Sequence, residues 1–299
     1  MPIVVGVARS GTTLLRLMLD AHPELAMTHE AGFVPTASNL TNPTSRIFYR
    51  RIITAVTGNP RGNNLREAFY QTLTGFVTWG DFHIPSEILR QELDKVEPFT
   101  ITEGIRTFFR LYAGRFNKPR WGDKTPFYVR HLKSVENVLP EAHFIHIIRD
   151  GRDAALSGKG LHFVNGDFEA IGSDWSNQIL AARRQSGLCR HYLEVRYEDL
   201  VRTPTVILQG ICRFLNLKYD PRMERYYLGA SERMDELQPG LNPDGSVAYS
   251  KESRLFRHRL TSKPPELSRI GVWKKEMKPE DLAAFNKSAG PLLRTLGYQ

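Results

Sequence analysis

Cysteine is scarce in this chain: Cys189 and Cys212 are the only two among 299 residues. They share no C-x-x-C spacing, which excludes a disulfide framework and the usual thiolate metal sites, so a reducing, cytoplasmic setting is expected. Long apolar runs are also missing. No stretch approaches the roughly 18 residues that a spanning helix needs, and no basic region followed by an apolar core opens the chain. Neither stable membrane insertion nor a secretory signal is expected. His143 and His146 lie on an apolar strand with no cysteine or carboxylate at ligand spacing, and read as ordinary strand residues, not metal ligands. There is no internal repeat, no low-complexity tract and no G-x-S-x-G nucleophile elbow. Acidic charge is the minority sign, 32 Asp and Glu against 41 Lys and Arg, leaving a net charge of +9.

What is present begins at residue 2. The apolar strand Pro2-Ile3-Val4-Val5-Gly6-Val7-Ala8 runs into Arg9-Ser10-Gly11-Thr12-Thr13 and then the helical run Leu14 to Leu19. A strand, a tight glycine turn and a helix opening on hydroxyl residues make an anion-binding nest, because backbone N–H groups converge at the positive end of the helix dipole. The spacing Gly6-x-x-x-x-Gly11-Thr12-Thr13 matches a phosphate loop except that Thr12 stands where the pattern has its lysine. Arg9 is the nearest cation, inside the loop.

Two further segments read as buried strands. Ala142 to Ile148 ends at Arg149-Asp150-Gly151-Arg152, and Tyr192 to Tyr197 is followed by a helix from Pro204 to about Leu217. Alternating strands and helices predict a three-layer α/β architecture on a central parallel sheet of about five strands. No linker divides the chain, so one domain over 1–299 is expected, with 36–120 a helical insertion that shapes the acceptor site. Within it, Ser86 to Val96 reads as helix, and Ile101, Ile105, Phe108, Phe109, Tyr112 and Phe116 keep a helical rhythm. Residues 229–250, rich in proline and glycine, are a candidate lid.

Ligands of open parallel sheets bind beyond the carboxyl ends of the strands. Arg9 to Thr13, Arg149 to Ser157 and Tyr197 all fall at such ends, so they are expected to line one crevice. Arg149 and Ser157 offer a guanidinium fork and a hydroxyl to a second phosphate; an Arg–Asp pair bracing the turn is the plainer alternative.

The segments Arg9-Ser10-Gly11-Thr12-Thr13, Phe144 to Arg152 with Ser157, Arg196-Tyr197-Glu198-Asp199-Leu200 and Arg269-Ile270-Gly271-Val272-Trp273-Lys274 resemble, in order, motifs of sulfotransferases. Those enzymes use 3′-phosphoadenosine-5′-phosphosulfate (PAPS) as sulfate donor, release PAP and need no metal. The resemblance implies that Arg9, Ser10, Gly11, Thr12 and Thr13 hold the 5′-phosphosulfate, and Arg149 and Ser157 the 3′-phosphate. It also implies that Tyr197 lies against the nucleotide, and that Arg269, Gly271 and Lys274 come from a loop closing over the 3′-phosphate end. The stretch His22 to Pro35 is similar to one in protein-tyrosine sulfotransferases whose base aligns with Glu30; His29 is the rival, imidazole being the base in the cytosolic branch. Lys124, in Trp121-Gly122-Asp123-Lys124-Thr125-Pro126-Phe127, resembles the second transition-state cation, with a salt bridge to Asp123 as the simple alternative. Where the tyrosine-protein enzymes carry an arginine two residues after the base, this chain has Gly32, which disfavours a protein tyrosine acceptor.

The missing loop lysine suits sulfuryl transfer. A sulfuryl group in transit carries less negative charge than a phosphoryl group, so the site needs positioning, a stabilised leaving oxygen and a base. Two other classes are set against this: an NTP-dependent P-loop kinase, and a nucleic-acid-binding module built on the eight Lys and Arg between Lys251 and Lys275. The first lacks its lysine, and the second has few stacking aromatics (Phe256 and Trp273) and no helix-turn-helix or zinc pattern, so no nucleic-acid partner is expected. The expected acceptor is a small-molecule hydroxyl: a lipid, polyketide, phenol or carbohydrate. Phe69, Tyr70, Phe76, Trp79, Phe82, Phe108, Phe109 and Tyr112 either line an apolar acceptor pocket or form plain core.

Overall fold

The computed structural model describes residues 1–41, 65–161 and 166–298. Five parallel strands form its centre: β1 (Pro2–Val5), β2 (Leu25–Met27), β3 (Arg120–Lys124), β4 (His143–Ile148) and β5 (Tyr192–Arg196), in the order β2-β3-β1-β4-β5. From β1 the chain moves outward to β2 and returns to β3, then crosses to β4 and β5 on the other side of β1. This reversal opens a crevice beyond the carboxyl ends of β1 and β4.

Strand alternation sorts the core into two layers. Ile3, Val5 and Phe144 enter one apolar cluster with Phe33, Phe69, Phe82, Phe108, Phe109 and Tyr112. Val4, Ile145, Ile147 and Val195 enter the other, against Leu15 and Met18 of the first helix, Thr12–Asp20, and Leu208 and Ile211 of the helix Pro204–Phe214. A third cluster joins the helices Phe168–Ser186 and Pro279–Thr295 through Trp175, Ile179, Phe285 and Leu293. The three-layer α/β expectation holds.

The described part of 36–120 packs on the β2–β3 side through the helix Ile101–Gly114 and shares the sheet's first core cluster; the span 42–64 of that region lies outside the described residues. Residues 229–250 divide in two. Arg233, in the helix Ala230–Asp235, is bolted down by Asp20 at 2.7 Å, Glu236 at 2.8 Å and the Tyr112 hydroxyl at 2.6 Å. Beyond it, Gly240–Leu241 and Val247–Tyr249 pair as a small antiparallel hairpin. No described helix is long and apolar enough to cross a membrane.

Candidate active site

The loop after β1 turns through two left-handed residues, Arg9 at φ 69° and Gly11 at φ 94°. Gly11 is required there on two counts. The dihedral disfavours a side chain, and a Cβ would stand 2.5 Å from the Tyr197 ring. The helix Thr12–Asp20 then starts with Gly11 as its N-cap, so the N–H groups of its first turn have no intrahelical partner and face the crevice. Ser10 lies at the turn but does not line the cleft; its fully buried hydroxyl has no hydrogen-bond partner among the described residues.

The second wall comes from the end of β4 and the helix Gly151–Gly158. Arg9 Nε donates to Ser157 Oγ at 3.2 Å, so the loop and the distant serine meet directly. Arg149 donates to the carbonyls of Arg9 at 3.1 Å and Arg269 at 2.7 Å, and its guanidinium lies 4.4 Å from the Tyr197 ring centre. Arg–Asp pairs do brace the turn: Asp150 binds Arg152 through both carboxylate oxygens at 2.9 and 2.8 Å, and the buried Asp153 carboxylate lies 3.9 Å from Arg149. Arg149 also joins the loop through those two carbonyls, and its Nε is buried with no hydrogen-bond partner among the described residues.

The crevice is a cleft of about 1160 Å³ lined by Arg9, Gly11, Thr12, Thr13, Glu30, Phe127, Arg149, Ser157, Tyr197, Tyr249 and Arg269, among others. It is electropositive. Burial, and then the charges of Arg149, Arg259, Arg257 and Arg269, lower the pKa of the Arg9 guanidinium from its ordinary value. Cations crowded to that degree call for an anion between them.

Glu30 lies in the same cleft, 2.6 Å from the ammonium of Lys124. The lysine side chain is 3% exposed and the glutamate 52%, so the carboxylate fronts the open cleft and the cation backs it. Burial raises the Glu30 pKa, but the Lys124 charge and hydrogen bond, with Arg254 and Arg257 behind them, outweigh it and hold the carboxyl below its ordinary value. Neighbouring strand residues face opposite sides, so Asp123 does not take the ammonium. Asp123 accepts instead from Thr28, Thr125 and the Ala31 N–H.

His29 is not brought to the cleft. Its Nε2 lies 3.0 Å from the Arg233 carbonyl oxygen, and burial with the charges of Arg16 and Arg233 holds the ring well below its ordinary pKa. Gly271 and Lys274 are not cleft-lining either. The Gly271 N–H donates to Asp153 at 2.7 Å, and Lys274 is exposed. The aromatic residues Phe69, Phe82, Phe108, Phe109 and Tyr112 are fully buried in the first core cluster, as plain core.

Sequence reasoning missed the helix Lys251–His258, which brings Arg254, Arg257 and His258 to the cleft wall. Arg9 donates to the Arg257 carbonyl at 3.4 Å, and Arg254 is paired with the buried Asp81. Burial and the charges of Lys124, Arg9 and Arg257 keep the His258 imidazole well below its ordinary pKa, hence neutral. The signal was the basic run itself. Much of it faces the cleft and is not a separate surface for nucleic acid.

With this geometry in view, the known proteins sort the chain. Residues 3–221 match the model of the sulfotransferase family, and the chain belongs to that family. Among curated relatives, protein-tyrosine sulfotransferase A of Caenorhabditis elegans is 27% identical over 98% of this chain, which spans 66% of the worm protein. Protein-tyrosine sulfotransferase 1 of Danio rerio is 23% identical over the whole chain, covering 72% of the fish protein. Two solved structures share the fold: the sulfotransferase domain of the Synechococcus olefin synthase (TM-score 0.59, 21% identity, 100% of this chain and 94% of that one) and that of the curacin biosynthetic pathway (0.60, 17%, 100% and 98%).

Proposed function

We propose that this sulfotransferase moves the sulfuryl group of PAPS onto a small-molecule hydroxyl, with Glu30 as the base. The observation that carries the reading is the Glu30–Lys124 pair at 2.6 Å in the same cleft as the Arg9–Ser157 and Arg149 cluster. A bisphosphorylated nucleotide fits this chain's donors. The Ser10 hydroxyl and the Arg149 Nε, both without a hydrogen-bond partner among the described residues, and the cationic crowding at Arg9 supply hydrogen bonds and charge that such a ligand would meet. Arg9 to Thr13 would hold its 5′ end, and Arg149 and Ser157 its 3′-phosphate. The donor supplies an activated sulfuryl group with a good leaving phosphate.

Glu30 would accept the acceptor's hydroxyl proton at its carboxylate. Proton uptake neutralises the partner of Lys124, so the ammonium turns from holding the base to stabilising charge on the departing oxygen, alongside Arg9.

The wall beside Glu30 supports an acceptor with an apolar body. A Cβ at Gly32 would meet Phe76 at 2.6 Å and Phe127 at 3.2 Å, so aromatic rings occupy the space where the resemblance puts arginine. Phe127 is 44% exposed. Phenols, lipids and polyketides therefore come before carbohydrates, and protein tyrosine, the acceptor in the names of the curated relatives, comes last.

Screening these classes with PAPS and mass-spectrometric detection of the sulfate ester tests the reading. Glu30→Gln should cut transfer by about 10² to 10⁴-fold with PAP affinity nearly unchanged. Unchanged transfer in that variant would remove Glu30 as the base.

A further inference from the structure

Asp123 is an ionisable group in a place where charge is costly. It is 1% exposed, and burial pushes its carboxyl up to about 6 despite the bonds it accepts. Its Oδ1 accepts from the Thr28 hydroxyl at 2.7 Å and the Ala31 N–H at 3.1 Å, and its Oδ2 from the Thr125 hydroxyl at 2.8 Å. Two of those donors bracket Glu30 in sequence, and the third follows Lys124. Asp123 itself sits in β3, registered against Ile3 of β1, with Lys124 against Val4.

The segment that carries the base is otherwise an irregular turn between β2 and the short helix Val34–Ser38. Such a turn has no ladder of its own to fix it. Thr28 is further held through its N–H to the Gly122 carbonyl at 3.0 Å, again in β3, and the Ala31 carbonyl accepts from the Tyr128 hydroxyl. The base segment is thus tied to the strand that presents the ammonium, and that strand pairs with the one feeding the anion loop.

We propose that Asp123 is a positioning residue. Its carboxylate joins the Glu30 turn to the Lys124 strand and so sets base and ammonium in register with the anion loop. The inference rests on Glu30 as the base. Placement matters at this scale, since a shift of about 1 Å in reacting groups costs on the order of a hundredfold in rate.

The test uses the full chain and turnover of PAPS to PAP and sulfate, with water as acceptor. Asp123→Ala should lower kcat by about a hundredfold while the PAP dissociation constant stays within about twofold. Asp123→Asn, whose amide still accepts from Ala31 and Thr28 and can donate to Thr125, should restore kcat to within about threefold of the wild type. A purely structural role would instead lower melting temperature and PAP affinity together. Should Asp123→Ala fail to fold, Thr28→Val removes the same tie from the other side and should show the same split. Wild-type kcat in Asp123→Ala or Thr28→Val, an asparagine variant as poor as alanine, or PAP affinity falling in step with kcat would overturn the proposal. Glu30→Gln run in parallel separates the two claims. Full turnover there refutes the base itself, whereas an inactive Glu30→Gln beside an active Asp123→Ala refutes only the positioning.

Discussion

In the proposed reaction Glu30 and Lys124 decide the chemistry at the level of single residues. A general base works only when deprotonated, and the Lys124 charge and hydrogen bond win over burial to keep the Glu30 carboxyl below its ordinary value. The sign follows: a depressed pKa keeps the base ionised as the solution is acidified, so the acid limb of kcat/KM should lie below the ordinary value of a glutamate. A limb above about 6 would point to an imidazole and contradict the assignment. His29 was the imidazole that the sequence offered. Glu30 is proposed in its place because residue 29 turns inward to the Arg233 carbonyl while residue 30 fronts the cleft, a difference no sequence pattern reports.

Among the elements, the loop between β1 and its helix is the most exacting. Gly11 combines a left-handed dihedral with a Tyr197 ring in the place of a Cβ. Gly11→Ala should destabilise the protein by about 1–3 kcal/mol and weaken PAP binding together, read by thermal melting and calorimetry; unchanged values of both would show that the turn tolerates a side chain. This loop, β1, β4 and β5 were legible because apolar runs ending in Arg, Gly and hydroxyl residues leave a clear trace. β2 and β3 were not. β2 has only three residues, and β3 reads Arg-Trp-Gly-Asp-Lys, where Trp121 alone packs on the core while Arg120 binds the Leu215 and Asn216 carbonyls and Lys124 binds Glu30. The helix Lys251–His258 escaped notice for a related reason: its arginines look like a solvated face until folding lays them along the cleft.

For the molecule as a whole, the net charge of +9 has a local use. Arg9, Arg149, Arg254, Arg257, Arg259 and Arg269 all line one cleft, with Lys124 behind Glu30, so the field there is far stronger than the average charge suggests. The order β2-β3-β1-β4-β5 creates this by bringing the ends of β1 and β4 together, and the C-terminal third of the chain folds back to complete the wall. The most direct measurement is calorimetric titration of the intact protein with PAP, repeated on Arg149→Ala and Ser157→Ala and in competition with Mg-ATP. The expected result is one saturable site, displaced by PAPS, with affinity weakened at least about tenfold in Arg149→Ala, less in Ser157→Ala, and only feeble competition from Mg-ATP. No PAP binding by the intact chain, or tighter binding of Mg-ATP than of PAP, would contradict the account.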